Sequence, residues 1–322
     1  MRNNKSYNIS KKFLSVILIT ITFALLVGSG FYGYGNDYYA GYYLPNVLLG
    51  GWNDRLGFII STLTIYEIHI GVHLVSGILA FSLGILLKNF FIYRKINSIY
   101  FFLFIYLIAL HTWPIIMSTS NAMRQGISMS LIFISLFYFL EKENFKSFFF
   151  IFLSIFTHKS GLIFLYVFFN TLFLKLLINY FRFNNLKSFF YFSYGLFTFF
   201  LSFYLFKKFL AIENPSRIIA GDYRFQFLMI NVLYIAFCTY KFKFLELNNI
   251  NLFLFIFSFV APSILLLGLN WQYERLNMMV TIPYILVIST LFSKGFSNFL
   301  LLSSFSLLLF LTYLNGMYKS LI

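Results

Sequence analysis

Apolar runs long enough to cross a bilayer recur from one end of this chain to the other, separated by short basic or Gly/Asn-containing breaks. The hydrocarbon core of a bilayer is about 30 Å thick, so a crossing helix needs roughly 20 apolar residues. By that measure the candidate spans are 13–30, 57–87, 97–117, 125–140, 147–157, 160–178, 188–206, 225–240, 251–268, 278–293 and 298–317, which makes about 11 crossings. The run at 57–87 reads as a short surface helix followed by a span, and 147–157 is short for a crossing. Backbone polar groups in hydrocarbon must be satisfied within the protein, so the pattern predicts an all-α fold, a polytopic membrane helical bundle. No tandem repeat, linker or soluble domain is evident. Residues 1–322 therefore read as a single integral membrane domain, with outer loops near 31–56 and 207–224.

One break decides the orientation of everything after it. Residues 147–174 form either one long helix or two helices joined at His158-Lys159-Ser160. A single helix would hold Lys159 near the bilayer centre at a cost of roughly 2.5–3.5 kcal/mol on insertion scales. Two helices put the same residues in an outward-facing turn, which is the preferred reading. With the basic N-terminus inside, fifteen of the 24 basic residues then fall on the inner side, as the positive-inside rule expects.

Composition agrees. The chain is 60% hydrophobic and 10% charged, against about 25% charged in soluble domains. The 48 Phe and 24 Tyr residues read mainly as lipid-facing or packing rings. The net charge of +15 is spread over short loops, which argues for membrane orientation and against nucleic acid as a partner. Cys238 is the single cysteine, so neither an intramolecular disulfide nor a Cys-based metal site can form. Residues 2–12 are basic and 13–28 apolar. That run exceeds the ~7–15 residues of a signal-peptide core, so it reads as an uncleaved first helix.

Few ionisable groups lie at the edges of the apolar runs, and those are the candidate chemistry. In the two-helix orientation each even crossing begins on the outer face. Arg124 opens the fourth, His158-Lys159-Ser160 the sixth, Arg224 the eighth and Arg275 the tenth. Helix N-termini carry unpaired N–H groups and partial positive charge, and arginine matches phosphate with a bidentate fork. Arg124, Arg224, Arg275 and Lys159 around one outer cavity would hold a diphosphate. Each alone better fits a basic side chain reaching the lipid headgroups, and it is their number on one face that favours the site. Asp37 lies in Gly35-Asn36-Asp37-Tyr38-Tyr39 with Tyr42 following, a carboxylate among rings that suits sugar binding. An interfacial aromatic belt with an Asn-Asp turn fits it too. Glu274, between Tyr273 and Arg275, is a second candidate base, and Asp222 a weaker third. His69 and His73 stand four apart with Glu67 nearby, as metal ligands on one helical face would, but no third ligand is evident. His111 has no evident partner. No phosphate-binding glycine loop, serine elbow or paired carboxylate motif is present, and no metal or cofactor is expected.

Gly35-Asn36-Asp37-Tyr38 with Tyr42, then Arg124-Gln125-Gly126-Ile127, then Phe156-Thr157-His158-Lys159-Ser160-Gly161-Leu162-Ile163, and late Tyr273-Glu274-Arg275-Leu276, resemble the EpsG-like family. The resemblance covers roughly residues 30–280 and rests on the order and spacing of short motifs. These are membrane proteins of exopolysaccharide and O-antigen clusters, generally regarded as Wzy-type polymerases. The large late loop common in Wzy proteins is short here; the larger outer loop is 207–224.

What the resemblance implies is a membrane-glycosyltransferase-like enzyme of the bacterial inner membrane whose active site faces the periplasm or exterior. Its substrates would be undecaprenyl-diphosphate-linked glycans within membrane lipid, and a chain-length regulator protein would be a candidate partner. Asp37, Glu274 and His158 would be the catalytic candidates. Arg124, Arg224, Arg275, Lys159, Tyr38, Tyr42 and Tyr273 would bind substrate, with no cofactor. A lipid-linked oligosaccharide flippase also holds diphosphate with arginines, but transporters often show repeated halves and none is evident. A membrane O-acyltransferase leaning on His158 is a third reading, and an O-antigen ligase uses similar chemistry.

Overall fold

The computed structural model describes residues 64–65, 68–93, 99–110, 123–158, 161–181, 187–211 and 249–266, together with isolated positions elsewhere. The described elements are helical apart from one two-rung ladder. Strands β1 (Thr64–Ile65) and β2 (Ile68–His69) pair antiparallel, Thr64 opposite His69 and Ile65 opposite Ile68. Helices α1 (Ile70–Tyr93), α2 (Ile99–Leu110), α3 (Met123–Leu140), α4 (Asn144–Thr157), α5 (Gly161–Phe181), α6 (Lys187–Ala211) and α7 (Asn249–Leu265) follow. Within the expected run 57–87 the ladder precedes the helix proper, which begins at Ile70, and residues 57–63, where a short surface helix is expected, lie outside the described residues. Among the described residues four helices are long and apolar enough to cross a membrane: Ile70–Tyr93, Met123–Leu140, Gly161–Tyr180 and Ser188–Lys208. Two shorter apolar helices, Asn144–Thr157 and Asn249–Ser263, accompany them. The remaining expected crossings, 13–30, 225–240, 278–293 and 298–317, lie essentially outside the described residues.

The chain divides into two compact units, residues 1–161 with 289–322, and residues 162–288. In the first, α1 and α2 run antiparallel. Phe91 meets Phe102 edge-on at 5.5 Å, and further along the Tyr106 hydroxyl donates to Ala80 O at 2.7 Å. Gly84 leaves room for the Tyr106 ring. Helix α3 packs on α1, with Gly126 against Val75, both near the N-terminal ends of their helices.

Helices α3 and α4 form an antiparallel hairpin. Its turn is closed by Lys142, whose φ of 63° lies in the left-handed region, while Glu143 N–H donates to Tyr138 O at 2.9 Å and Lys142 N–H to Phe139 O at 3.2 Å. That is the Schellman closure, where glycine is the usual residue. Glu143 pairs with Lys146 and keeps its ammonium above the ordinary lysine range, chiefly through their hydrogen bond. The pair is solvent-exposed and holds the turn weakly. Between the helices, the Ser135 and Ser147 hydroxyls meet at 2.8 Å, and Ser128 Oγ donates to Ser154 O at 3.3 Å. Small hydroxylated residues are the expected contacts here, because lipid-like surroundings provide little hydrophobic drive between helices.

In the second unit α5 runs antiparallel to α6. Tyr166 OH donates to Thr198 O at 3.3 Å and Tyr194 OH to Asn170 Oδ1 at 3.1 Å. Helix α7 lies parallel to α6: Tyr191 meets Phe255, Gly195 receives the Phe259 ring, and the Ser202 and Ser263 hydroxyls stand 2.6 Å apart. From Asn249 to Ser263 every residue of α7 is buried, as expected of a helix apolar on all sides. Lys175 Nζ donates to Asn249 Oδ1 at 2.7 Å, tying α5 to the start of α7.

Candidate functional site

The hairpin register decides which motif residues meet. Pairing Ser135 with Ser147 and Ser128 with Ser154 matches each step along α3 by an equal step back along α4. One turn beyond Ser128 and Ser154, the same register brings Arg124 level with His158. Arg124 is exposed in the first turn of α3, and His158 is half-buried just past the end of α4. Two of the expected site residues, far apart in sequence, thus share one end of one hairpin.

Two glycines make this end. A Cβ at Gly126 would run into the Ser118 carbonyl oxygen and press on Val75. A Cβ at Gly161 would stand 2.5 Å from Ser154 Oγ and 2.7 Å from the Ile155 nitrogen. The second contact shows how the chain leaves α4. His158 is extended (φ −157°, ψ 136°), and Gly161 N–H donates to His158 O at 3.0 Å. Residue 161 therefore lies back against residue 154. A continuous helix would hold them roughly 10 Å apart. The preferred reading of a break at 158–160 is what the structure has, and the single-helix alternative is excluded.

The start of α1 reaches the same end, because Val75 touches Gly126. His73 lies in that first part of α1 and is half-buried. His69 and His73 do not share a helical face: His69 closes β2 and the helix begins one residue later. Among the described residues no group of three His, Cys, Asp or Glu could hold a metal ion.

Gln125 was given no role from sequence, although it stands between Arg124 and Gly126. Its side chain is 5% exposed. Polarity inside an apolar run was the available signal. Asp37, Tyr38, Tyr42, Lys159, Arg224, Tyr273, Glu274 and Arg275 lie outside the described residues, as do Asp222 and His111.

Electrostatically, this end combines a guanidinium with the N-terminus of an 18-residue helix. Both favour an anion, and Arg124 can fork onto two phosphate oxygens. His158, level with it at the same end of the hairpin, can donate a hydrogen bond. Compared with known proteins, the chain matches the model described as the EpsG family over residues 13–322. No curated protein and no solved structure matches it.

Proposed function

We propose, because the chain belongs to the EpsG family of exopolysaccharide and O-antigen polymerase-like membrane proteins, that it joins lipid-linked oligosaccharide repeat units into polysaccharide. The donor is a growing glycan on undecaprenyl diphosphate, and the acceptor is a repeat unit on the same carrier. An acceptor hydroxyl oxygen bonds to the donor's anomeric carbon, the bond from that carbon to the diphosphate oxygen breaks, and lipid diphosphate leaves. The hydroxyl proton passes to a base, for which Asp37 is the first assignment, then Glu274, then His158. Arg124, Arg224, Arg275 and Lys159 balance the charge that develops on the leaving diphosphate, which is where preorganised cations lower a barrier most. Tyr38, Tyr42 and Tyr273 offer faces for sugar rings. The reaction lies at the outer face of the inner membrane.

The observation that carries this reading is the convergence of Arg124 and His158 at one end of the α3–α4 hairpin, within a chain matched by the family along nearly its whole length. The test is the surface-polysaccharide ladder of the source strain after deletion of this gene. Loss of the ladder with a single repeat unit still attached is the expected outcome. Loss of every attached unit would replace the polymerase by a flippase or ligase, and an intact ladder lacking an acyl group by an acyltransferase.

A further inference from the structure

Three donors converge on one acceptor at the end of α4. The Ser154 carbonyl oxygen takes the His158 N–H at 3.0 Å, the Thr157 hydroxyl at 2.8 Å and, from α3, the Ser128 hydroxyl at 3.3 Å. In an ordinary last helical turn the backbone N–H alone would satisfy that carbonyl. Ser128 and Ser154 are both fully buried. Gly161 packs against the same group: a Cβ there would stand 2.9 Å from the Ser154 carbonyl carbon.

The consequence falls on His158. Its N–H is held by Ser154 O, and its own carbonyl takes the Gly161 N–H at 3.0 Å. With both backbone groups engaged and the backbone extended (φ −157°, ψ 136°), the direction of its Cα–Cβ bond is set. Ser128 joins this elbow to α3 one helical turn after Arg124. The shared carbonyl is thus one turn of α3 from Arg124 and one hydrogen bond from His158. Ser135 meets Ser147 in a similar way, one heptad further along α3 and about 10 Å away, with no residue of the candidate site attached.

We propose that Ser128 and Thr157 are positioning residues, which hold His158 at a fixed height and orientation level with Arg124 by sharing the Ser154 carbonyl with the His158 N–H. This rests on the part given to His158 in the proposed function. Neither hydroxyl touches substrate; each acts through the elbow. Misplacing a reacting group by about 1 Å costs on the order of 100-fold in rate, whereas one hydrogen bond between membrane helices contributes little to stability.

The test measures polymer formation in membranes of the deletion strain that hold equal amounts of each full-length variant, with and without His158. Thr157→Val keeps the shape of threonine and removes the hydroxyl, and Thr157→Ser keeps the hydroxyl. Ser128→Ala and Ser135→Ala each remove one hydroxyl from the same helix, the first on the His158 elbow and the second away from it. Thr157→Val and Ser128→Ala are expected to slow polymerisation roughly tenfold. Thr157→Ser and Ser135→Ala keep the wild-type rate, and melting temperatures in detergent stay within about 2 °C of wild type. The His158→Ala protein retains a residual rate from the remaining cations and binding groups. In that background Thr157→Val and Ser128→Ala cause no further loss, because they act through the side chain already removed.

Equal slowing by these two substitutions with and without His158 would overturn the proposal and make the hydroxyls general ties between helices. So would equal slowing by Ser135→Ala and Ser128→Ala, or a fall in melting temperature that parallels the loss of rate. A wild-type rate in His158→Ala alone would remove His158 from the reaction. That overturns the proposal and leaves the polymerase reading standing with Asp37 or Glu274 as base. An unchanged ladder on deletion of the gene would remove both.

Discussion

Arg124 and the glycines around it are single positions on which the geometry of the candidate site depends. Replacing Arg124 with alanine removes a cation from the first turn of α3 and is expected to slow polymerisation roughly 10- to 100-fold, the range for a lost charge-assisted hydrogen bond. Arg124→Lys, which keeps charge but loses the fork, should fall in between. The check is the rate of polymer formation in membranes holding equal amounts of each variant, and normal polymerisation by Arg124→Ala would remove it from the site. Gly161→Ala acts differently. Its methyl group would meet the Ser154 hydroxyl, which can rotate, and backbone at Ile155 (2.7 Å) and Ser154 (2.9 Å), which cannot swing away. Overpacking of this kind costs about 1–3 kcal/mol and should appear as a lower melting temperature together with lost activity. The motif containing His158 and Gly161 was visible in the sequence. That its glycine lets the chain fold back on α4 was not, because the obstructing atoms belong to residues six and seven positions earlier.

Among the elements, the α3–α4 hairpin is the one whose details can be tested most directly. Lys142 holds a left-handed conformation that glycine adopts without strain. Lys142→Gly should therefore stabilise the protein by about 0.5–1 kcal/mol, the relief of strain being partly offset by the greater freedom of glycine in the unfolded chain. Thermal unfolding in detergent measures it. The Ser135–Ser147 contact should couple by about 0.6 kcal/mol in a double-mutant cycle with alanine, the average for hydrogen bonds between membrane helices. Independent effects would mean that the hydroxyls only fill space. At this scale the apolar runs served well. Expected spans at 125–140, 160–178, 188–206 and 251–268 correspond to Met123–Leu140, Gly161–Phe181, Lys187–Ala211 and Asn249–Leu265. Within 57–87, Thr64 and Ile65 pair with His69 and Ile68 as a ladder before the helix, in a stretch too short to show a helical or strand period.

For the whole molecule, the two ends of the hairpin separate the candidate site from the charged turn. α3 has 18 residues and is about 27 Å long, close to the thickness of hydrocarbon. The Glu141–Lys146 turn and the His158 end are therefore expected on opposite faces of the membrane. With Cys238 replaced by serine, a membrane-impermeant maleimide should label Lys159→Cys in intact cells and Glu141→Cys only after permeabilisation. The reverse pattern would move the site to the cytoplasmic face and overturn the polymerase reading. The sequence by itself determined the membrane class, the approximate helices and the short motifs. In hydrocarbon a helix is nearly the only way to satisfy the backbone, so a long apolar run is enough to announce one. Which helices pair, and in what register, was decided only by the tertiary structure. Lipid-facing and protein-facing surfaces of the described helices are both largely apolar, so apolarity alone does not mark the contact side. Arg124 and His158 come to one end of the hairpin through serines and glycines whose partners no local pattern reveals.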